Sequence, residues 1–135
     1  MNKQSDKVRF GVSIQRDLAE QLTMLAKALG TDRSTLVNEA LREFLHDRVH
    51  VLRPHACEGV LVVIYGPEIS GEVSRVLERF EGIIVARTHI HDSERKCVEI
   101  IYLRGPSQKI ISLERMLRDT KVYTTRYIAN KKKSS

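Results

Sequence analysis

The sequence predicts an α+β protein in two parts, an N-terminal strand-helix-helix unit and a C-terminal βαββαβ unit. Three observations carry this reading. Apolar residues alternate at period two over residues 8–14 and switch to helical spacing from Asp17. Two breaks, Gly66-Pro67 and Gly105-Pro106, each end an apolar run and precede a helical one. A length of 135 residues, 41% hydrophobic and 30% charged, suits one domain or two small ones around a packed core.

Val8, Phe10, Val12 and Ile14 alternate with Arg9, Gly11 and Ser13, the pattern of a strand with one dry and one wet face. Leu18, Leu22, Leu25 and Leu29 then share a helix face, and Gly30 stops that helix. Thr31 and Asp32 are N-cap candidates for a second helix, whose apolar face holds Leu36, Val37, Ala40, Leu41, Phe44 and Leu45. Such a unit is not expected to stand alone. A lone strand leaves both edges open, and two short helices expose apolar faces. Pairing two copies through their strands closes both gaps, so residues 1–50 are expected to form an intertwined homodimer with a two-stranded antiparallel ribbon.

Residues 51–58 lose periodicity and read as a linker. His50, His55 and Cys57 match no ligand spacing and read as connector residues. Val60–Tyr65 is an apolar strand, followed by a helix from Ser70 to Glu81 with Val73, Val76, Leu77 and Phe80 facing inward. Ile83–Ile90 is a strand, Asp92–Lys96 a polar turn, and Val98–Leu103 the returning strand. Ser107–Arg118 is a helix with Ile110, Ile111, Leu113, Met116 and Leu117 inside, and Val122–Ile128 is the last strand. This order over residues 59–130 is the ferredoxin-like split unit. Residues 131–135 form a basic tail expected to be disordered.

Composition excludes several classes. No apolar run approaches the roughly 20 residues of a membrane span, and no basic-then-apolar leader opens the chain, so a cytoplasmic protein with no membrane partner is expected. The two cysteines, Cys57 and Cys97, lie far apart, which rules out a disulfide scaffold. Trp is absent and Phe plus Tyr total seven, too few for a single-strand stacking platform. Of the net charge of +6, three charges belong to Lys131, Lys132 and Lys133. More telling is the start of the chain, where Lys3, Lys7, Arg9 and Arg16 face only Asp6.

Two constellations could carry chemistry. A two-stranded ribbon fits the major groove of duplex DNA. There Arg9 could pair bidentately with guanine, Ser13 could bond base or phosphate, and Gly11 offers only backbone. The N-terminus of the second helix, at Arg33 and Ser34, could hold a phosphate. The second constellation is His89-Ile90-His91 with Cys97. On a strand the two histidines share a face, and a five-residue turn can return Cys97 beside them. Two imidazoles and a thiolate suit nickel, copper, zinc or cobalt. A metalloenzyme would also need an open coordination position and a general base near the metal, and the sequence shows no such set, so no enzymatic activity is expected.

The segments "VRFGVSIQRDLAEQL", "GTDRSTLVNEALREFL", "GVLVVIYG" and "THIHDSERKCVEIIYLRG" resemble the nickel-responsive repressor family, NikR, over about residues 7–128. The family's His-x-His-x5-Cys ligand pattern falls on His89, His91 and Cys97, and the ribbon's three outward positions fall on Arg9, Gly11 and Ser13. The resemblance implies a ribbon-helix-helix DNA-binding domain joined to an ACT-like metal-binding domain. It implies a homotetramer whose metal sites lie between subunits, and a metal-responsive repressor that grips double-stranded operator DNA. In the family a fourth ligand, a histidine from the neighbouring subunit, completes planar nickel. Here that position falls on Glu78 or on Glu81, according to where the alignment gap is placed, with Glu81 preferred because loops absorb deletions more readily than helices. A carboxylate is a harder ligand than imidazole, so zinc, cobalt or copper stand beside nickel as the expected ion. The rival expectation is a ribbon-helix-helix regulator whose ACT-like domain senses another ligand or only tetramerises.

Overall fold

The computed structural model describes residues 6–131. The chain divides into two compact units, Met1–Arg42 and Glu43–Ser135.

The first unit holds α1 (Arg16–Leu29) and most of α2 (Arg33–Arg48). Gly30 ends α1 at φ 67°, a left-handed conformation that glycine adopts without steric cost. The Thr31 and Gly30 N–H groups donate back to Ala26 and Lys27, closing the helix end. Asp32 caps α2, its Oδ1 accepting the Thr35 N–H at 2.8 Å. The expected strand at 8–14 is not met within a single chain. Residues 7–15 join no ladder among the described residues, because a strand needs a neighbouring strand and the rest of this unit is helical. The expected inward faces are only partly covered. Ala26 is buried and Leu22, Leu36 and Val37 half-buried, whereas Leu18, Leu25, Leu29, Leu41, Phe44 and Leu45 are exposed.

The second unit contains β1 (Ala56–Tyr65), α3 (Ser70–Arg79), β2 (Ile84–His91), β3 (Cys97–Pro106), α4 (Ser107–Arg118) and β4 (Thr124–Ala129). The sheet order is β2-β3-β1-β4, with every neighbouring pair antiparallel. Along β1 burial alternates, with Leu61, Val63 and Tyr65 facing inward. These residues pack with Ile101 and Leu103 of β3, Val73 and Leu77 of α3, and Ile110, Leu113 and Leu117 of α4.

Element boundaries differ from the sequence reading in several places, β2 among them, which runs Ile84–His91 instead of Ile83–Ile90. A 3-10 turn occupies Val49–Val51, and β1 starts at Ala56, four residues before the expected Val60. The linker backbone is tied down early: the His55 N–H donates to Ser107 Oγ and the Ser107 N–H to the His55 carbonyl. The first helix of the unit ends at Arg79, so Glu81 opens a 3-10 turn, Glu81–Ile83, instead of closing a helix. The central returning strand runs longer, from Cys97 to Pro106, because it pairs on both sides. The last strand begins at Thr124, not Val122. The expected basic tail falls outside the described residues beyond Lys131.

The last turns of α2 dock on the outer edge of β4. The His46 Nε2–H donates to the Ala129 carbonyl, and Asp47 Oδ1 accepts the Ala129 N–H, both at 2.9 Å. These side chains satisfy backbone groups that an edge strand would otherwise present to solvent.

Candidate metal centre and nucleic-acid interface

The metal constellation is built by one hairpin. Asp92 organises the turn, its Oδ1 accepting the Glu94 and Lys96 N–H groups at 2.8 Å. Arg95 adopts the left-handed region at φ 66° to close it. The turn fixes the β2–β3 register, which sets His91 opposite Cys97 and His89 opposite Glu99. Side chains at directly opposed positions share a sheet face. His89, His91 and Cys97 therefore converge, with one ligand atom of each lying within 4.8 Å of the others. His89 Nε2 and His91 Nε2 are 3.4 Å apart. Metal–nitrogen bonds of about 2.0 Å and metal–sulfur bonds of about 2.3 Å fit a cation among three such atoms with small side-chain rotations. The imidazoles are exposed and Cys97 is buried, so the site opens to solvent from the histidine side.

Glu78 lies exposed in the last turn of α3, and Glu81 lies exposed in the following turn. Neither belongs to the group formed by His89, His91 and Cys97. Among the described residues, the cluster has three donors within one chain.

Three residues beside the cluster, Glu99, Arg87 and Tyr65, escaped the sequence reading. Glu99 is fully buried and accepts four hydrogen bonds: from Tyr65 Oη, from Arg87 Nε and Nη2, each at 3.0 Å, and from His89 Nδ1 at 2.6 Å. Burial pushes the Glu99 carboxyl up, but the donors Arg87, His89 and Tyr65 outweigh it and hold the group below the usual carboxylate value. Burial, then the Glu99 hydrogen bond, raise the Tyr65 phenol well above its ordinary value. An ionised carboxylate only accepts, so the His89 Nδ1 carries a hydrogen in this contact. The signal in the sequence was a lone charge at Glu99 inside the apolar run Val98–Leu103.

The connector histidines behave differently from one another. His55 is half-buried, with Nδ1 near the Arg53 carbonyl. His50 is buried against Glu114 of α4, with Nε2 3.3 Å from Oε1, and stands edge-on to the Tyr127 ring. Cys57 Sγ lies 3.0 Å from Tyr127 Oη. His50 and Cys57 therefore face the core beside α4 and β4, and only His55 keeps the place expected of a connector residue.

In the first unit Arg9, Gly11 and Ser13 lie in the exposed segment before α1. Arg33 and Ser34 occupy the first turn of α2, which contains no acidic side chain. Asp32 takes the Thr35 N–H, and that bond is the main reason its carboxyl lies below the usual value. The earlier N–H groups of the turn point along the helix axis toward its open end.

Among the described residues, no helix is long and apolar enough to cross a membrane. The NikR C terminal nickel binding domain matches residues 58–125, and the ribbon-helix-helix protein, copG family, matches residues 8–48. Relatives described as candidate nickel-responsive regulators include one from Methanopyrus kandleri, 31% identical over 87% of this chain and 87% of that one. Another, from Chlorobaculum tepidum, is 30% identical over 84% of this chain and 87% of its own. A third, from Dictyoglomus turgidum, is 28% identical over 76% of this chain and 79% of its own. The solved structure of an uncharacterized Thermotoga maritima protein covers 57% of this chain and 100% of that chain, with a TM-score of 0.53 and 16% identity, which speaks to fold alone.

Proposed function

The chain belongs to the NikR family of nickel-responsive regulators, and on that premise we propose that it regulates transcription by coupling a divalent cation at His89, His91 and Cys97 to operator binding through its ribbon-helix-helix unit. It is a regulator and not an enzyme. The observation that carries this reading is the convergence of two imidazoles and one thiol within 4.8 Å, on a hairpin whose register sets them on one sheet face. Nickel is the proposed ion. A carboxylate oxygen of Glu81 or Glu78, supplied by a neighbouring copy, would complete the shell and would also suit zinc or cobalt. His89, His91 and Cys97 hold the cation; bound there, it supplies a rigid link between β2 and β3 and, through the fourth ligand, between subunits.

Two copies are proposed to pair through residues 8–14. Val8, Phe10 and Val12 are 82%, 78% and 71% exposed in the single chain, and a ribbon covers that apolar side while Arg9 and Ser13 remain outward. In this arrangement Arg9 reads a base edge, Ser13 a base or phosphate, Gly11 gives close backbone approach, and Arg33 with Ser34 hold phosphate at the start of α2. The C-terminal domains are proposed to join two such dimers into a tetramer, with residues 1–50 as the DNA-binding part, 51–58 as linker and 59–130 as the metal-binding part. Cation and DNA are then linked by differential affinity: the cation must bind one domain arrangement more tightly, or it moves no equilibrium.

The test is a duplex selected from a random pool by the chain in the presence of Ni(II). Affinity for it is expected to fall roughly 10- to 100-fold on chelation and to the same level in His89→Ala. Equal affinity with chelator and with nickel, zinc, cobalt and copper would end the proposal.

A further inference from the structure

The guanidinium of Arg87 spans both oxygens of Glu99, Nε on Oε2 and Nη2 on Oε1, each at 3.0 Å. A two-point contact of this kind fixes the plane of the carboxylate as well as its position. Guanidinium has donors and no acceptor, so neither oxygen it touches can present a proton to it. Tyr65 Oη at 3.0 Å and His89 Nδ1 at 2.6 Å also donate to Oε1, so that oxygen shares three donors. Four donors, three on Oε1 and one on Oε2, hold a fully buried carboxylate. Glu99 therefore cannot rotate to serve another partner without leaving Arg87 or Tyr65 unpaired.

We propose that Arg87 and Glu99 form a positioning clamp for His89: Arg87 locks the Glu99 carboxylate, and the carboxylate holds the His89 ring with its proton on Nδ1 and its Nε2 lone pair turned toward His91. In the metal-free protein His91 then donates its Nε2–H to His89 Nε2 across the 3.4 Å gap. A cation entering the cluster replaces that one hydrogen bond, and the His89 ring is already oriented. Neither Arg87 nor Glu99 is a ligand in this scheme; both act through His89. The inference rests on reading His89 as a ligand.

The test uses the full chain, isotopically labelled, without metal and then titrated with Ni(II) and Zn(II) against a competing chelator. Nitrogen NMR should show His89 as the Nδ1–H tautomer in the unmodified chain. Arg87→Lys keeps the charge but loses the two-point contact, and its site is half-exposed, so folding should survive. This variant should show mixed His89 tautomers and roughly 10- to 100-fold weaker metal binding, with the Cys97–metal charge-transfer band still present at saturation. Glu99→Gln should do the same, because the amide has one acceptor oxygen and its NH2 group would face an Arg87 N–H, breaking the two-point contact. An Nε2–H tautomer in the unmodified chain, or unchanged tautomer and affinity in both variants, overturns the clamp. If the unmodified chain binds neither ion, the metal reading falls instead, and the tautomer comparison still decides whether Arg87 and Glu99 fix the ring.

Discussion

Gly59 shows how a single residue can set the width of the sheet. A Cβ there would press into the Ile128 carbonyl of β4 and approach Ala129 Cα and Tyr127 Oη to 2.9 Å. The obstacles are mostly backbone, so they cannot rotate away. Gly59→Ala should destabilise the protein by about 1–3 kcal/mol by prising β4 from β1, measurable as a lower urea midpoint; an unchanged midpoint would mean the strands yield freely. At this scale the sequence was informative where covalent spacing forces a contact. His89, His91 and Cys97 could be read directly, since alternation plus a five-residue turn leaves them one meeting place. Glu99 was readable in principle as a charge within an apolar strand. Arg87 was not, because an arginine on an edge strand is ordinarily a solvated side chain, and only the fold turns it onto a buried carboxylate.

Helices were more legible than strands, for a physical reason. A helix satisfies its own backbone, so Leu spacing, Gly30 and the Gly66-Pro67 and Gly105-Pro106 breaks were enough to locate all four. A strand depends on a neighbour, which is why the alternation at 8–14 forms no ladder in one chain and why Cys97–Pro106, paired on both sides, runs past the ends of its apolar core. Helix ends depend on side-chain caps, and Asp32 offers a test. Its capping bond to Thr35 favours the ionised form in the folded state. The folded-state pKa is therefore below the unfolded value of about 3.9. The cap's contribution is complete above that value and disappears as pH falls through the lower folded one. Hydrogen exchange should find the Thr35 amide protected near neutral pH, losing protection in acid, and unprotected at every pH in Asp32→Ala. Equal protection in both chains would show that the cap is irrelevant to the start of α2.

For the molecule as a whole, the two halves of the function should be separable by mutation. Phe10 belongs to the exposed apolar side of the segment proposed to pair two copies, and it lies far along the chain from the metal ligands. Phe10→Lys should abolish ribbon pairing, seen as a smaller assembly in sedimentation. It should also cost at least tenfold in duplex affinity, within the range expected when a dimeric reader loses its partner. Ni(II) affinity at His89, His91 and Cys97 should stay unchanged. Loss of both together would mean that the units do not act as modules. The strand order β2-β3-β1-β4 carries one last consequence. The proposed ligands lie on the edge strand β2 and at the start of its neighbour β3, while the final turns of α2 are tethered to the opposite margin at Ala129. Three strand spacings of about 4.8 Å, roughly 14 Å in all, separate the two. On the proposed function, β3 and β1 lie between the histidine cluster and the α2 tether, so loosening their ladders is expected to reduce the metal-dependent gain in duplex affinity while metal affinity stays unchanged.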